Sequence, residues 1–119
     1  MATDRELLEL VAQVEGYDTT HSMNVQRLEF DPPVVALLIR TKDRGELIHT
    51  AWNPLESNVD AFRLLVWRGL RVHVDLDEDC TRIVDEFNEV VLRQMHFSAG
   101  PEEATRRAIV RAVAMEATQ

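Results

Sequence analysis

Residues 52–74 read WNPLESNVDAFRLLVWRGLRVHV, and this stretch organises the rest of the chain. Pro54 disfavours a helical conformation at Asn53, so the chain must turn a corner after the preceding strand. Gly69 can adopt the left-handed conformation that ends a helix. Residues 70–76 alternate apolar and polar side chains, as a half-buried strand does. The stretch therefore predicts a strand end, a corner, a short helix and a new strand.

The helix within this stretch is predicted to be amphipathic. Ser57 or Asn58 can cap its first turn through a side-chain oxygen. Arg63 and Arg68 are expected to face solvent, because they fall outside the apolar positions. The buried stripe is expected to comprise Val59, Phe62, Leu65 and Val66, widened by Ala61 and Leu64.

The elements before the corner follow from similar patterns. Thr3 and Glu6 fit a capping box and Gly16 supplies a stop, which together predict a helix over residues 4–15. The apolar run at residues 34–39 predicts a strand in a central position, covered on both faces. The other predicted elements are a surface loop over residues 17–23, a short strand over 25–30, a turn over 43–45 and a return strand over 46–52.

Residues 80–97 support two interpretations. Their apolar positions recur at helical spacing, and periodicity alone favours a helix. The alternative is a β-hairpin with strands over residues 81–84 and 90–97. Residues 98–101, Ser-Ala-Gly-Pro, interrupt regular structure and precede a last helix. This helix is predicted to reach about Glu116 and to pack through small side chains.

Two blocks of sequence, WNPLESNVDAFRLLVWRGLRV and GPEEATRRAIVRAVA, resemble the signature blocks of the phage α-β-α (ABA) sandwich domain family, small accessory proteins of tailed phages and prophages. In that family an aromatic-Asn-Pro-Leu corner opens a helix with Asp-Ala-x-x-Leu, and an Ala-Thr-Arg-Arg-Ala-Ile helix closes the chain. This chain departs from the pattern at residues 57–59 and 66–68. The resemblance favours the hairpin over the helix at residues 80–97, and it implies a phage accessory role without an established activity.

The expected fold is therefore α+β, a single domain over residues 1–119 in which an antiparallel β-sheet is packed between helices as an α-β-α sandwich.

The formal net charge of −8 disfavours direct binding to nucleic acid or to an anionic membrane, since both require a basic surface. Cys80 is the only cysteine, which excludes an intramolecular disulfide. With no signal-peptide pattern at the start of the chain, we predict a location in the host cytoplasm.

Five residues of the two blocks are the least explained by core packing. A tryptophan beside a rigid corner can anchor a partner, and adjacent arginines can hold a phosphate or carboxylate. The alternative is that the tryptophan packs the corner onto the core, while the arginines form ion pairs with Asp60 or Glu103. The candidate residues for binding a partner or ligand are Trp52, Asn53, Asp60, Arg106 and Arg107.

Catalytic and metal-binding patterns are not evident in the sequence. The four histidines show no metal-ligand spacing, Cys80 has no cationic neighbour in the sequence, and the isolated glycines form no phosphate-binding loop. We therefore predict no catalytic residues, no metal site and no cofactor.

The expected function is non-enzymatic binding of a host protein, with counter-defence as one role. A protein that binds or sequesters a nucleotide-like ligand is the alternative, a metal-dependent hydrolase is a remote one, and a free strand edge would permit a homo-oligomer.

Overall fold

Local capping residues determine where the helices begin. In a computed structural model, which describes residues 2–118, the Thr3 hydroxyl accepts a hydrogen bond from the Glu6 N–H and the Ser57 hydroxyl accepts one from the Asp60 N–H. Pro101 occupies the first position of the last helix. The helices are α1 (Asp4–Glu15), α2 (Met23–Gln26), α3 (Asn58–Arg68) and α4 (Pro101–Glu116), with short 3-10 turns at Arg27–Glu29 and Phe97–Ala99.

The strands form two antiparallel sheets. They are β1 (Leu37–Asp43), β2 (Glu46–Trp52), β3 (Arg71–Asp75), β4 (Cys80–Val84) and β5 (Val90–Met95). The first sheet contains β1 and β2, and the second has the order β3-β4-β5. Arg44 and Gly45 form the two-residue turn between β1 and β2, both with positive φ, which suits the twist of a hairpin. The hairpin predicted for residues 80–97 is confirmed.

Helix α4 lies at the centre of the molecule. It packs against α1, against α3 and against all three strands of the second sheet. Ala104, Ala108 and Ala112 are buried along it, and their small side chains allow the neighbouring elements to approach closely. The predicted α+β class, with antiparallel strands packed against helices, is confirmed, but the strands are divided between two sheets instead of one.

The predicted central position of the first strand is wrong. β1 pairs only with β2, and its other edge meets a side chain. Asn24, which is buried, donates to the Leu38 carbonyl at 2.9 Å and accepts from the Leu38 N–H at 2.7 Å. One amide thus satisfies the backbone groups that a third strand would otherwise have paired.

The predicted strand over residues 25–30 is also wrong, because these residues lie in α2, the following 3-10 turn and the end of that turn. The His21 Nδ1 atom accepts a hydrogen bond from the Met23 N–H and starts the turn. Asn24 also donates to the Thr19 carbonyl, at 2.9 Å. The helical turn therefore serves to present Asn24 to β1.

The buried side of α3 differs from the predicted stripe. Ala61 and Leu64 are buried, whereas Val59, Phe62 and Val66 are exposed. Apolar residues lie almost all around this helix, so periodicity alone leaves more than one side that could face the core.

Two polar side chains hold α3 in its orientation about the helix axis. The Asp60 carboxylate accepts a hydrogen bond from the Asn53 N–H at 3.0 Å. Arg68, which was expected to face solvent, is half-buried and lies 3.2 Å from carboxylate oxygens of both Glu15 and Glu116. Burial raises the pKa of Glu15, and Arg68 opposes that shift. When Asp60 and Arg68 both reach these partners, Ala61 and Leu64 face the core. The remaining apolar residues Val59, Phe62 and Val66 then point outward.

Candidate functional sites

The candidate residues at the corner bond to one another and to the residues that follow it. Asn53 donates its N–H to Asp60 and accepts, through its side-chain oxygen, the Leu55 N–H at 3.0 Å. Arg106 donates from Nε to the Leu55 carbonyl at 2.9 Å and from Nη1 to the Asn58 side-chain oxygen at 2.7 Å. The structure thus brings Asn53, Asp60 and Arg106 together around the backbone of the corner.

Trp52 is buried at the base of the hairpin. Its ring meets the Tyr17 ring edge to face, with centroids 5.5 Å apart and an interplanar angle of 80°. Burial also raises the pKa of Tyr17. The tryptophan therefore packs the corner onto the segment that follows α1.

Arg107 lies apart from the corner. Adjacent residues on a helix point about 100° apart, so Arg106 and Arg107 cannot reach the same group. The Arg107 guanidinium instead donates to the Asp4 carboxylate at 3.0 Å. Neither arginine pairs with Asp60 or Glu103, which were the predicted partners.

We predict that the two adjacent arginines differ in their contribution to stability. Arg106→Lys should lower the free energy of unfolding by about 1–2 kcal/mol, because lysine lacks the planar fork that holds two acceptors. Arg107→Lys should change it by less than about 0.5 kcal/mol, because an exposed ion pair contributes little. Urea denaturation of both variants measures the difference, and equal effects would contradict the role assigned to Arg106.

The outer side of α3 carries the largest helical apolar surface among the described residues. We call Val59, Phe62, Val66 and Trp67 the α3 face; they are 60, 64, 57 and 74% exposed. The first three follow the i, i+3, i+7 spacing of one helical stripe. The sequence pattern identified this stripe but assigned it to the core.

A second site is the cleft between α1, α4 and β5, which we call the α1–α4 cleft. It has a volume of about 450 Å³ and is lined by Ala2, Leu7, Gln94, Arg107 and Arg111. Arg107 and Arg111 are one turn apart and share a side of α4. Arg111 donates to the Gln94 side-chain oxygen. Sequence analysis missed Arg111, although its i, i+4 spacing from Arg107 was a usable signal.

A chain of polar side chains, buried at His96 and Thr81 and exposed at Asp79, connects the second sheet to α4. The His96 Nδ1 atom lies 3.1 Å from the Asp79 carboxylate, and its Nε2 atom lies 2.7 Å from the Thr81 hydroxyl. This is the carboxylate, imidazole and hydroxyl order of a hydrolase triad. Thr81 is fully buried, however, and its hydroxyl also contacts that of Thr105 at 2.9 Å. The arrangement therefore fits a structural role, and only the register of the hairpin could have revealed it.

The described residues contain neither a group of metal ligands nor a helix suited to span a membrane. Between residues 2 and 118, no three histidine, cysteine, aspartate or glutamate side chains form a group that could hold a metal ion. No helix in that range has both the length and the apolar character needed to cross a bilayer. Cys80 is buried, and the His21 and His49 rings contact each other with centroids 4.6 Å apart.

Comparisons with protein-family models, curated proteins and solved structures found no match to this chain. The resemblance to the phage ABA family therefore stays a prediction. The surfaces of the described residues, above all the α3 face and the α1–α4 cleft, are the basis on which function is proposed.

Proposed function

We propose that this protein acts without catalysis, by binding another protein through the α3 face. The supporting observation is that four large apolar side chains lie on the outside of one helix. Transfer of apolar surface out of water contributes about 25 cal/mol per Å². Val59, Phe62 and Val66 share one helical stripe and Trp67 flanks it, and clustered exposed apolar residues mark an interaction surface more often than scattered ones do.

The size of the α3 face suits the centre of an interface. Phe62 and Trp67 together expose roughly 280 Å², at about 200 Å² for a complete aromatic side chain. A standard interface buries about 800 Å² on each partner. Neighbouring polar residues would supply the rim, and Trp67 would act as the anchor, since tryptophan is enriched among residues that dominate binding energy.

The spacing of the α3 face also indicates the kind of partner. Anchors at i, i+3 and i+7 are typical of a helix that lies in an apolar groove. The resemblance to the phage ABA family supports a host protein as the partner that carries this groove. The binding would then serve counter-defence and take place in the host cytoplasm. A second copy of this chain is the alternative occupant.

The test uses the double variant Phe62→Ser/Trp67→Ser. Immobilised wild-type protein is used to capture its partner from a host extract, and the purified partner is then titrated against each variant. The double variant should bind at least about 100-fold more weakly, because two central residues each contribute about 2 kcal/mol or more. Leu76→Ser, which changes an equally exposed apolar residue after β3, should leave the affinity unchanged.

Sedimentation velocity distinguishes the two occupants. The wild-type protein is expected to sediment as a monomer. A dimer that the Phe62→Ser/Trp67→Ser variant converts to monomers would identify a second copy as the occupant and would contradict the host-protein proposal. A partner that binds the double variant as tightly as the wild type would also contradict it.

A further inference from the structure

The α1–α4 cleft is locally positive in an acidic chain. The chain has 21 acidic residues against 13 lysines and arginines, yet none of the described residues that line the cleft is acidic. Arg107 and Arg111 lie one turn apart on the same side of α4, where like charges repel by a few tenths of a kcal/mol. Asp4 pairs with Arg107 at 3.0 Å, whereas no carboxylate of the described residues pairs with Arg111. The charge of Arg111 therefore points to an anion from outside the chain.

Both guanidinium groups keep donors free for a ligand. Within the described chain, Arg111 bonds only to the neutral amide of Gln94. Arg107 bonds only to Asp4, whose side chain is 50% exposed, and an exposed ion pair is weak enough to exchange. Each guanidinium has five N–H donors in a planar fork, so most of these remain available.

A second hollow adjoins the cleft and shares two of its lining residues. Gln94 and Arg107 also line a hollow of about 290 Å³, which reaches His96 and Phe97 and has Glu103 on its wall. The positive part of the site is therefore the first cleft, on the side of the two arginines. The Phe97 ring is highly exposed and offers a flat apolar surface on which another ring could stack. The first cleft alone falls within the usual range for small-molecule sites, about 300–1,000 Å³. A ligand with a charged group and a ring would fit both parts.

We propose that the α1–α4 cleft binds a small organophosphate, with its phosphate held by Arg107 and Arg111 and its ring directed towards Phe97. Once Arg107 exchanges Asp4 for the ligand, two guanidinium groups match the double charge of a phosphate monoester, and the arginine fork fits phosphate oxygens in pairs. The site is separate from the α3 face and does not depend on the proposed protein partner.

The probes are AMP, adenosine and inorganic phosphate, titrated calorimetrically at low salt. AMP should bind at least about tenfold more tightly than adenosine, because only AMP carries the phosphate that the arginines recognise. It should also bind more tightly than inorganic phosphate, because only AMP carries a ring. Arg111→Gln should weaken AMP binding at least about tenfold, the effect of one charge-assisted hydrogen bond.

Three variants make the test specific. Arg44→Gln removes the same charge from the β1–β2 turn and should leave AMP binding unchanged. Asp4→Asn should strengthen AMP binding several-fold, because it releases Arg107, and this result does not depend on whether the Arg111 variant folds. The Phe62→Ser/Trp67→Ser variant should bind AMP normally. Equal binding of AMP and adenosine, equal effects of Arg111→Gln and Arg44→Gln, or no binding of AMP would overturn the proposal.

Discussion

Replacing Leu64 by alanine should lower the free energy of unfolding by about 3–4 kcal/mol. Leu64 is fully buried on the inner side of α3, so the substitution loses its transfer free energy and leaves a cavity. Phe62→Ala removes a larger side chain from the same helix, two residues away. Because Phe62 is mostly exposed, that substitution should cost less than about 0.5 kcal/mol.

Urea denaturation of the two variants decides which side of α3 faces the core. The apolar spacing of the sequence predicts that both Phe62 and Leu64 are buried, whereas the structure buries Leu64 and exposes Phe62. A larger loss of stability for Phe62→Ala than for Leu64→Ala would contradict the structure and would remove the basis for the α3 face as a binding surface. The comparison is therefore a test of the fold that also bears on the proposed function.

The elements that were predicted correctly depend on local chemistry. The cap at Thr3, the Ser57 cap and the proline that opens α4 each act within a few residues. The turn at Arg44 and Gly45 is similarly local. Such signals define where helices begin and end, so the bounds of α1, α3 and α4 could be predicted from the sequence. The first strand, predicted over residues 34–39, instead spans Leu37–Asp43.

The features that could not be predicted depend on distant partners. The rotation of α3 follows from contacts of Arg68 with Glu15 and Glu116, each about 50 residues away in the chain. The chain through His96 forms only once β4 and β5 are in register. For the candidate site, the adjacent arginines predict a pair, but Arg106 and Arg107 point in different directions from α4 and contact different groups.

The position of β1 shows how one side chain can replace a strand. A continuous apolar run is typical of a strand paired on both edges, and one edge of β1 is indeed satisfied by β2. The other edge is satisfied at Leu38 by the Asn24 amide and at Arg40 by the Asp18 carbonyl. No periodicity distinguishes an asparagine that does this from one in an ordinary surface loop.

Replacing Asn24 by alanine should therefore lower the free energy of unfolding by about 3 kcal/mol or more. The substitution removes three hydrogen bonds and leaves the Leu38 N–H and C=O groups without their partner. An unsatisfied buried group costs about 1–3 kcal/mol. Gln26→Ala, in the same short helix but at an exposed position, is the matched control and should cost less than about 0.5 kcal/mol.

Amide hydrogen exchange gives this prediction a readout at a single atom. The Leu38 N–H donates to Asn24, so its exchange should become faster in the Asn24→Ala variant than in the Gln26→Ala variant, measured by NMR under native conditions. Retained protection at Leu38 would mean that another acceptor holds this edge of β1. In that case the β1–β2 sheet would not depend on Asn24, and the Asn24 amide would not be what replaces a third strand beside β1.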